Sequence, residues 1–127
     1  MSRQGFSVFW VNEGTSPTIM GRFLIHDGSS AAQADITSCS YAVYDVDDPS
    51  EAVVSGDLVI ADVFYDTLQT DARWTTDSTG YNFAWSAPVT AFPDGGKRYQ
   101  VQFTTTPAVG AVIKDAVLIP TRQFFGE

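Results

Sequence analysis

The stretch GYNFAW sets Tyr81, Phe83 and Trp85 at every second position, and YQVQF repeats the device with Tyr99, Val101 and Phe103. A helix would scatter such a set around its axis; an extended strand puts it on one face. Between the two lies AFPDGGKR, where Pro93 fixes φ, Asp94 can bond the local backbone, and Gly95 and Gly96 admit positive φ. The expected arrangement is a hairpin in which the two strands pair and their ring-bearing faces coincide. That face could be a domain core or an exposed platform for stacking a sugar or a base. Half-buried sheets routinely bury one such face, and two sheets need large side chains between them, so core is favoured.

The rest of the chain reads the same way. GFSVFWV, TIMGRFLIHDG, DITSCSYAVYDV, SGDLVIADVFY, GYNFAWSA, KRYQVQFTT and AVIKDAVLIP are short, rich in β-branched and aromatic residues, and separated by Gly, Pro, Asp and Ser. Six or seven strands at this spacing predict a single all-β domain over residues 1–127, an antiparallel β-sandwich of about seven strands. DGSSAAQAD, with Ala31, Ala32 and Ala34, has a helical leaning but is too short to hold a helix alone, so a loop is expected there.

Charge and cysteine narrow the function classes. Seven basic against fifteen acidic residues give a net charge of −8, which opposes phosphate-backbone partners and adhesion to anionic lipid. No apolar run reaches membrane-spanning length, and MSRQGFSVFWVNEG lacks the apolar core of a secretion signal. Cys39 is the only cysteine, so the sandwich is expected without an internal disulfide and in a reducing cytoplasm.

Catalytic chemistry is hard to assemble from these residues, and none is assigned; no cofactor or metal is expected. His26 is the sole histidine, and Asp27, its strand neighbour, points away from it unless the chain turns. One His and one Cys cannot close a histidine-based zinc site without carboxylates. In DVDDP, Asp45, Asp47 and Asp48 could offer hard oxygens to Ca²⁺, but Asp before Pro49 also serves turn chemistry. Trp74 stands in the irregular DARWTTDSTG, where it either plugs the end of the sandwich or offers a ring to a glycan.

In DSTGYNF, Asp77, Gly80 and Tyr81 resemble the approach to strand F of immunoglobulin-like domains, where a tyrosine corner bonds back to the chain. Gly80 directly precedes Tyr81, and Phe83 stands where a disulfide cysteine would be, so the resemblance is to a disulfide-free immunoglobulin-like sandwich. ADITSCSYAVYDVDD, DTLQTDARWTTDSTGYNFAW and YQVQFTTTPAVGAV also resemble small virion accessory proteins of tailed bacteriophages. That resemblance implies a non-enzymatic cement or decoration protein, made in the host bacterial cytoplasm, that binds and reinforces a phage capsid in the virion. A neck, tail or baseplate module, or a carbohydrate-binding adhesion module, are its alternatives.

The implied partners are capsid or other virion proteins and further copies in a homo-oligomer, with no nucleic acid and no membrane. The interface residues expected are Phe6, Phe9 and Trp10 near one end and Phe124 and Phe125 near the other. End segments 1–5 and 121–127 would then touch neighbouring subunits. The competing arrangement folds these rings back onto their own domain.

Overall fold

The computed structural model describes residues 5–6 and 11–122. Their strands form two packed sheets. One has the order β1-β3-β7-β6, the other β2-β9-β8-β4-β5. Seven strands are of useful length: β3 (Thr18–Arg22), β4 (Ile36–Asp45), β5 (Val54–Leu58), β6 (Phe64–Gln69), β7 (Tyr81–Ser86), β8 (Arg98–Pro107) and β9 (Ile113–Arg122). Two-residue strands β1 (Gly5–Phe6) and β2 (Val11–Asn12) cap the edges. Every pairing is antiparallel except β2 with β9. The expected disulfide-free β-sandwich is therefore the fold. Cys39 is buried near the Thr105 hydroxyl at 3.4 Å, and desolvation raises its thiol pKa.

The two ring-bearing strands do not form the expected hairpin. β7 pairs with β3 and β6, whereas β8 pairs with β4 and β9 in the opposite sheet. Their rings meet across the core instead: Phe103 stands edge-on to Phe83 at 5.0 Å and to Trp85 at 5.6 Å. The PDGG segment is anchored elsewhere. Thr121 donates its hydroxyl to the Asp94 carbonyl at 2.8 Å, its carbonyl accepts from Gly96, and the Glu13 carboxylate accepts from Gly95. These bonds tie the turn to the end of β9 and hold it away from β7.

Tyr81 also leaves the face it was expected to share. Phe83 and Trp85 lie in the main core, while Tyr81 packs with Met20 and Trp74 in a separate cluster. Asn82 explains the break. Its side chain is 1% exposed and takes the place of ladder bonds: Oδ1 accepts from Phe23 N–H at 2.8 Å, and Nδ2 donates to the carbonyls of Phe23 at 2.9 Å and Ala31 at 2.8 Å. A side chain committed to backbone partners in this way interrupts regular alternation.

SGDLVIADVFY, expected as one strand, is two strands in two sheets. The helical turn α1 (Ile60–Val63) lies between β5 and β6 and carries the chain from one sheet to the other. Residues Gln33–Asp35 form a single 3₁₀ turn where a loop was expected, with the Asp35 carboxylate accepting from Ala32 N–H and the Asp66 carboxylate from Gln33 N–H.

One carboxyl is badly placed. Strand alternation puts Asp115 on the inward side of β9 with Val117 and Ile119, opposite Phe103, and one of its oxygens is buried without a partner among the described residues. Burial pushes its pKa up to about 6. The folded chain then holds this proton more tightly than the unfolded chain. The resulting stabilisation is complete below about pH 4 and is lost as pH rises through 6. After discounting for partial solvent exposure it amounts to about 1 kcal/mol. Asp115→Asn should therefore raise the melting temperature at pH 7.5 by about 3–5 °C and give no gain at pH 4.5. Calorimetry at the two pH values checks this; an equal change at both would contradict it.

Candidate binding cleft

An open cleft of about 580 Å³ lies where the four-stranded sheet meets the edge of the other sheet. β6 pairs with β7 only around Phe64–Phe83 and Gln69–Tyr81, which leaves the second half of β7 without a strand on that side. Thr18 and Met20 of β3 and Tyr81, Ala84, Trp85 and Ser86 of β7 make one wall. Asp57 and Leu58 of β5, Asp62 and Val63 of α1, Val59 between them, Tyr65 of β6 and Arg73 complete it.

The polar groups of this cleft divide into used and unused. Arg73 is used: Nε and Nη2 each donate to the Asp71 carboxylate at 3.0 Å, which lowers the Asp71 pKa to about 2. Thr18 and Ser86 share a hydrogen bond at 3.2 Å. Among the described residues, the side chains of Asp57 and Asp62 have no ion pair or hydrogen bond. Tyr81 and Trp85 are 6% and 5% exposed, yet the Tyr81 hydroxyl and the Trp85 indole N–H have no hydrogen-bond partner among those residues either. Solvent in the cleft reaches both atoms, which leaves them open to a ligand. Tyr65, 40% exposed, stands edge-on to Tyr81 at 5.9 Å.

Trp74 supports the cleft from behind and offers no free ring face. It is 7% exposed, its indole donates to Asp77 at 3.1 Å, and the Arg22 guanidinium lies 5.9 Å above it. Asp77 also accepts both terminal nitrogens of Arg22, at 2.9 and 2.7 Å, and the backbone N–H of Thr79 and Gly80. The Arg22 bond foremost, then Trp74 and Gly80, hold its pKa well below the usual carboxylate range. Gly80 has φ +107°, and an added Cβ would sit 2.4 Å from the Gln69 carbonyl oxygen, so the turn requires glycine. DSTGY is thus an Asp-centred turn. Tyr81 faces the cleft and does not bond back as a tyrosine corner.

The other sequence candidates are accounted for singly. Phe6 is half-buried and turned inward, edge-on to Phe23 at 5.6 Å and stacked on Phe103 at 5.7 Å, which is the fold-back arrangement. Phe9, Trp10, Phe124 and Phe125 lie outside the described residues. Asp45 accepts from Lys97 Nζ at 2.8 Å and Asp47 N–H at 2.9 Å, and Asp48 accepts from the Ser50 hydroxyl, which is turn chemistry. No group of three or more His, Cys, Asp or Glu among the described residues could hold a metal ion. His26 lies in a loop against Gly110. The cleft itself was missed from sequence because Tyr65, Trp85 and Asp62 carry no shared motif; an edge strand rich in exposed residues was its one trace.

No protein-family model matches the chain, and no curated protein matches it. A solved structure does: CopC from Methylosinus trichosporium OB3b, with a TM-score of 0.50 over 98% of this chain and 99% of that one, at 13% identity. At that identity the likeness shows a shared fold. It also corrects the functional expectation, because it points to CopC and away from a capsid cement or decoration protein. CopC has the same two-sheet architecture, so the sandwich by itself is no argument for a virion role. The neck, tail and baseplate alternatives gain no support from it, and Trp74, 7% exposed, offers no open ring to a glycan.

Proposed function

We propose that the protein is a non-catalytic recognition module whose cleft receives the basic side chain of an extended peptide segment. The observation that carries this is the cleft's unused chemistry: two carboxylates without partners and two tyrosine rings beside an arginine already neutralised by Asp71. Carboxylates and ring faces attract a guanidinium or ammonium. The unused Trp85 N–H asks for an acceptor, which a peptide carbonyl provides and a simple polyamine lacks. Among the described residues, the second half of β7 has no strand on its cleft side and β5 is an edge strand, so an extended segment can add there through main-chain bonds. A net charge of −8 favours encounter with a basic partner. Burial raises the Cys39 thiol pKa, so this cysteine is no activated nucleophile, which supports a recognition role.

Titration of the full chain with a blocked peptide of alternating Thr and Val around one central Arg, followed by calorimetry and tryptophan fluorescence, tests the reading. Saturable binding that weakens with salt is expected, as is a loss of about tenfold in affinity for Asp62→Asn. The same peptide with neutral citrulline in place of Arg should bind far more weakly. Equal binding of the two peptides would sink the proposal.

A further inference from the structure

The outer face of the five-stranded sheet is unusual for so acidic a chain. Register places its residues in rows that cross β5, β4, β8 and β9. One row reads Asp57, Ser40, Thr104, Lys114; the next reads Ser55, Ala42, Gln102, Ala116. A third reads Val53, Tyr44, Gln100, Leu118, with Val53 held opposite this row by its N–H bond to the Val43 carbonyl. In these three rows only Asp57 and Lys114 carry charge, and they stand at opposite ends of one row. Val53 and Leu118, 39% and 47% exposed, stand at opposite ends of another.

This pattern is self-complementary. A two-fold axis lying in the face, parallel to the strands and between β4 and β8, exchanges β5 with β9 and β4 with β8 while keeping each row opposite itself. It brings Lys114 over Asp57 of a second copy and Leu118 over its Val53, each contact occurring twice. In the middle row the long Gln102 faces the small Ala42. The axis keeps the strands of the two copies aligned, which is a common geometry for sheets packed face to face. Four strands and the five residues of β8 from Gln100 to Thr104 span a face of roughly 20 by 17 Å, which suits a reversible dimer at the low end of interface size.

We infer that this face binds a second copy of the chain, forming a symmetric dimer in which Lys114 pairs with Asp57 and Leu118 covers Val53. Asp57 stands on the rim that the two surfaces share, so the dimer contact and a cleft ligand would compete for its carboxylate, whereas Lys114 touches only the dimer face. An isologous interface of this kind doubles every contact, so single changes act twice.

Sedimentation equilibrium of the full chain over a wide concentration range tests it. A reversible monomer–dimer equilibrium is expected. Lys114→Glu and Asp57→Lys should each weaken association at least tenfold, by setting like charges opposite one another. The double exchange, Asp57→Lys with Lys114→Glu, should restore it to within a few-fold of the parent. Circular dichroism would confirm that the exposed-site variants remain folded. A monomer at every concentration, single variants that associate like the parent, or a double exchange that fails to rescue would each overturn the inference.

Discussion

Phe103→Ala is expected to destabilise the protein by about 3–5 kcal/mol, a large share of the stability of a domain this size. Phe103 is 0% exposed and is the ring through which both sheets communicate. It stands in contact with Phe6, Phe23, Phe83 and Trp85, at centroid distances of 5.7, 6.3, 5.0 and 5.6 Å. Truncation removes the transfer free energy of the ring and leaves a cavity that two sheets pinned by backbone ladders cannot close. Urea denaturation checks it: the midpoint should fall steeply while the slope stays constant. Leu118→Ala, on the exposed face, should change monomer stability by less than about 0.5 kcal/mol, and an equal loss at both sites would show that the core is elsewhere.

Asn82→Leu is expected to cost about 3 kcal/mol although the side chain keeps the same number of heavy atoms and the same branching. Branching is kept; the bonds to three backbone groups are lost. The Phe23 N–H, the Phe23 carbonyl and the Ala31 carbonyl would all be left buried without these bonds. Asn82→Asp should also be damaging, because a carboxylate repels both carbonyls while still accepting from Phe23. Thermal unfolding of the two variants separates polar satisfaction from shape. If Leu at this position were neutral, the site would be a packing position and its hydrogen bonds incidental. The local release should also be visible as faster amide exchange at Phe23.

The loss of alternation at Asn82 is why the outer cluster and the cleft were not legible in the sequence. Period-two spacing assigns Tyr81, Phe83 and Trp85 to one face, and for Phe83 and Trp85 that holds. Tyr81 departs because Asn82 has partners on a loop distant in sequence, at Ala31, and no local pattern announces them. The same limit hid the cleft. Its wall depends on β6 covering only part of β7, a fact of sheet register and not of composition. By contrast, the buried character of Ile19, Phe23, Val43, Val101 and Ile119 follows from strand spacing and hydrophobicity alone.

Sequence alone determined that this chain is a single all-β sandwich without a disulfide: short β-rich segments, frequent turn signals, one cysteine and alternating rings admit little else. It also marked Phe83, Trp85, Tyr99, Val101 and Phe103 as core, since alternation is a property of the strand and needs no knowledge of the neighbour. What only the tertiary structure decided is which strands pair. GYNFAW and YQVQF have matching faces whether they lie side by side or in opposing sheets, because both arrangements bury the same rings. The choice is made by contacts far apart in the chain: Thr121 and Glu13 hold the PDGG turn at the β9 edge. Hydrophobic alternation fixes which face of a strand is buried but not its neighbour, and these long-range hydrogen bonds belong to the arrangement that forms.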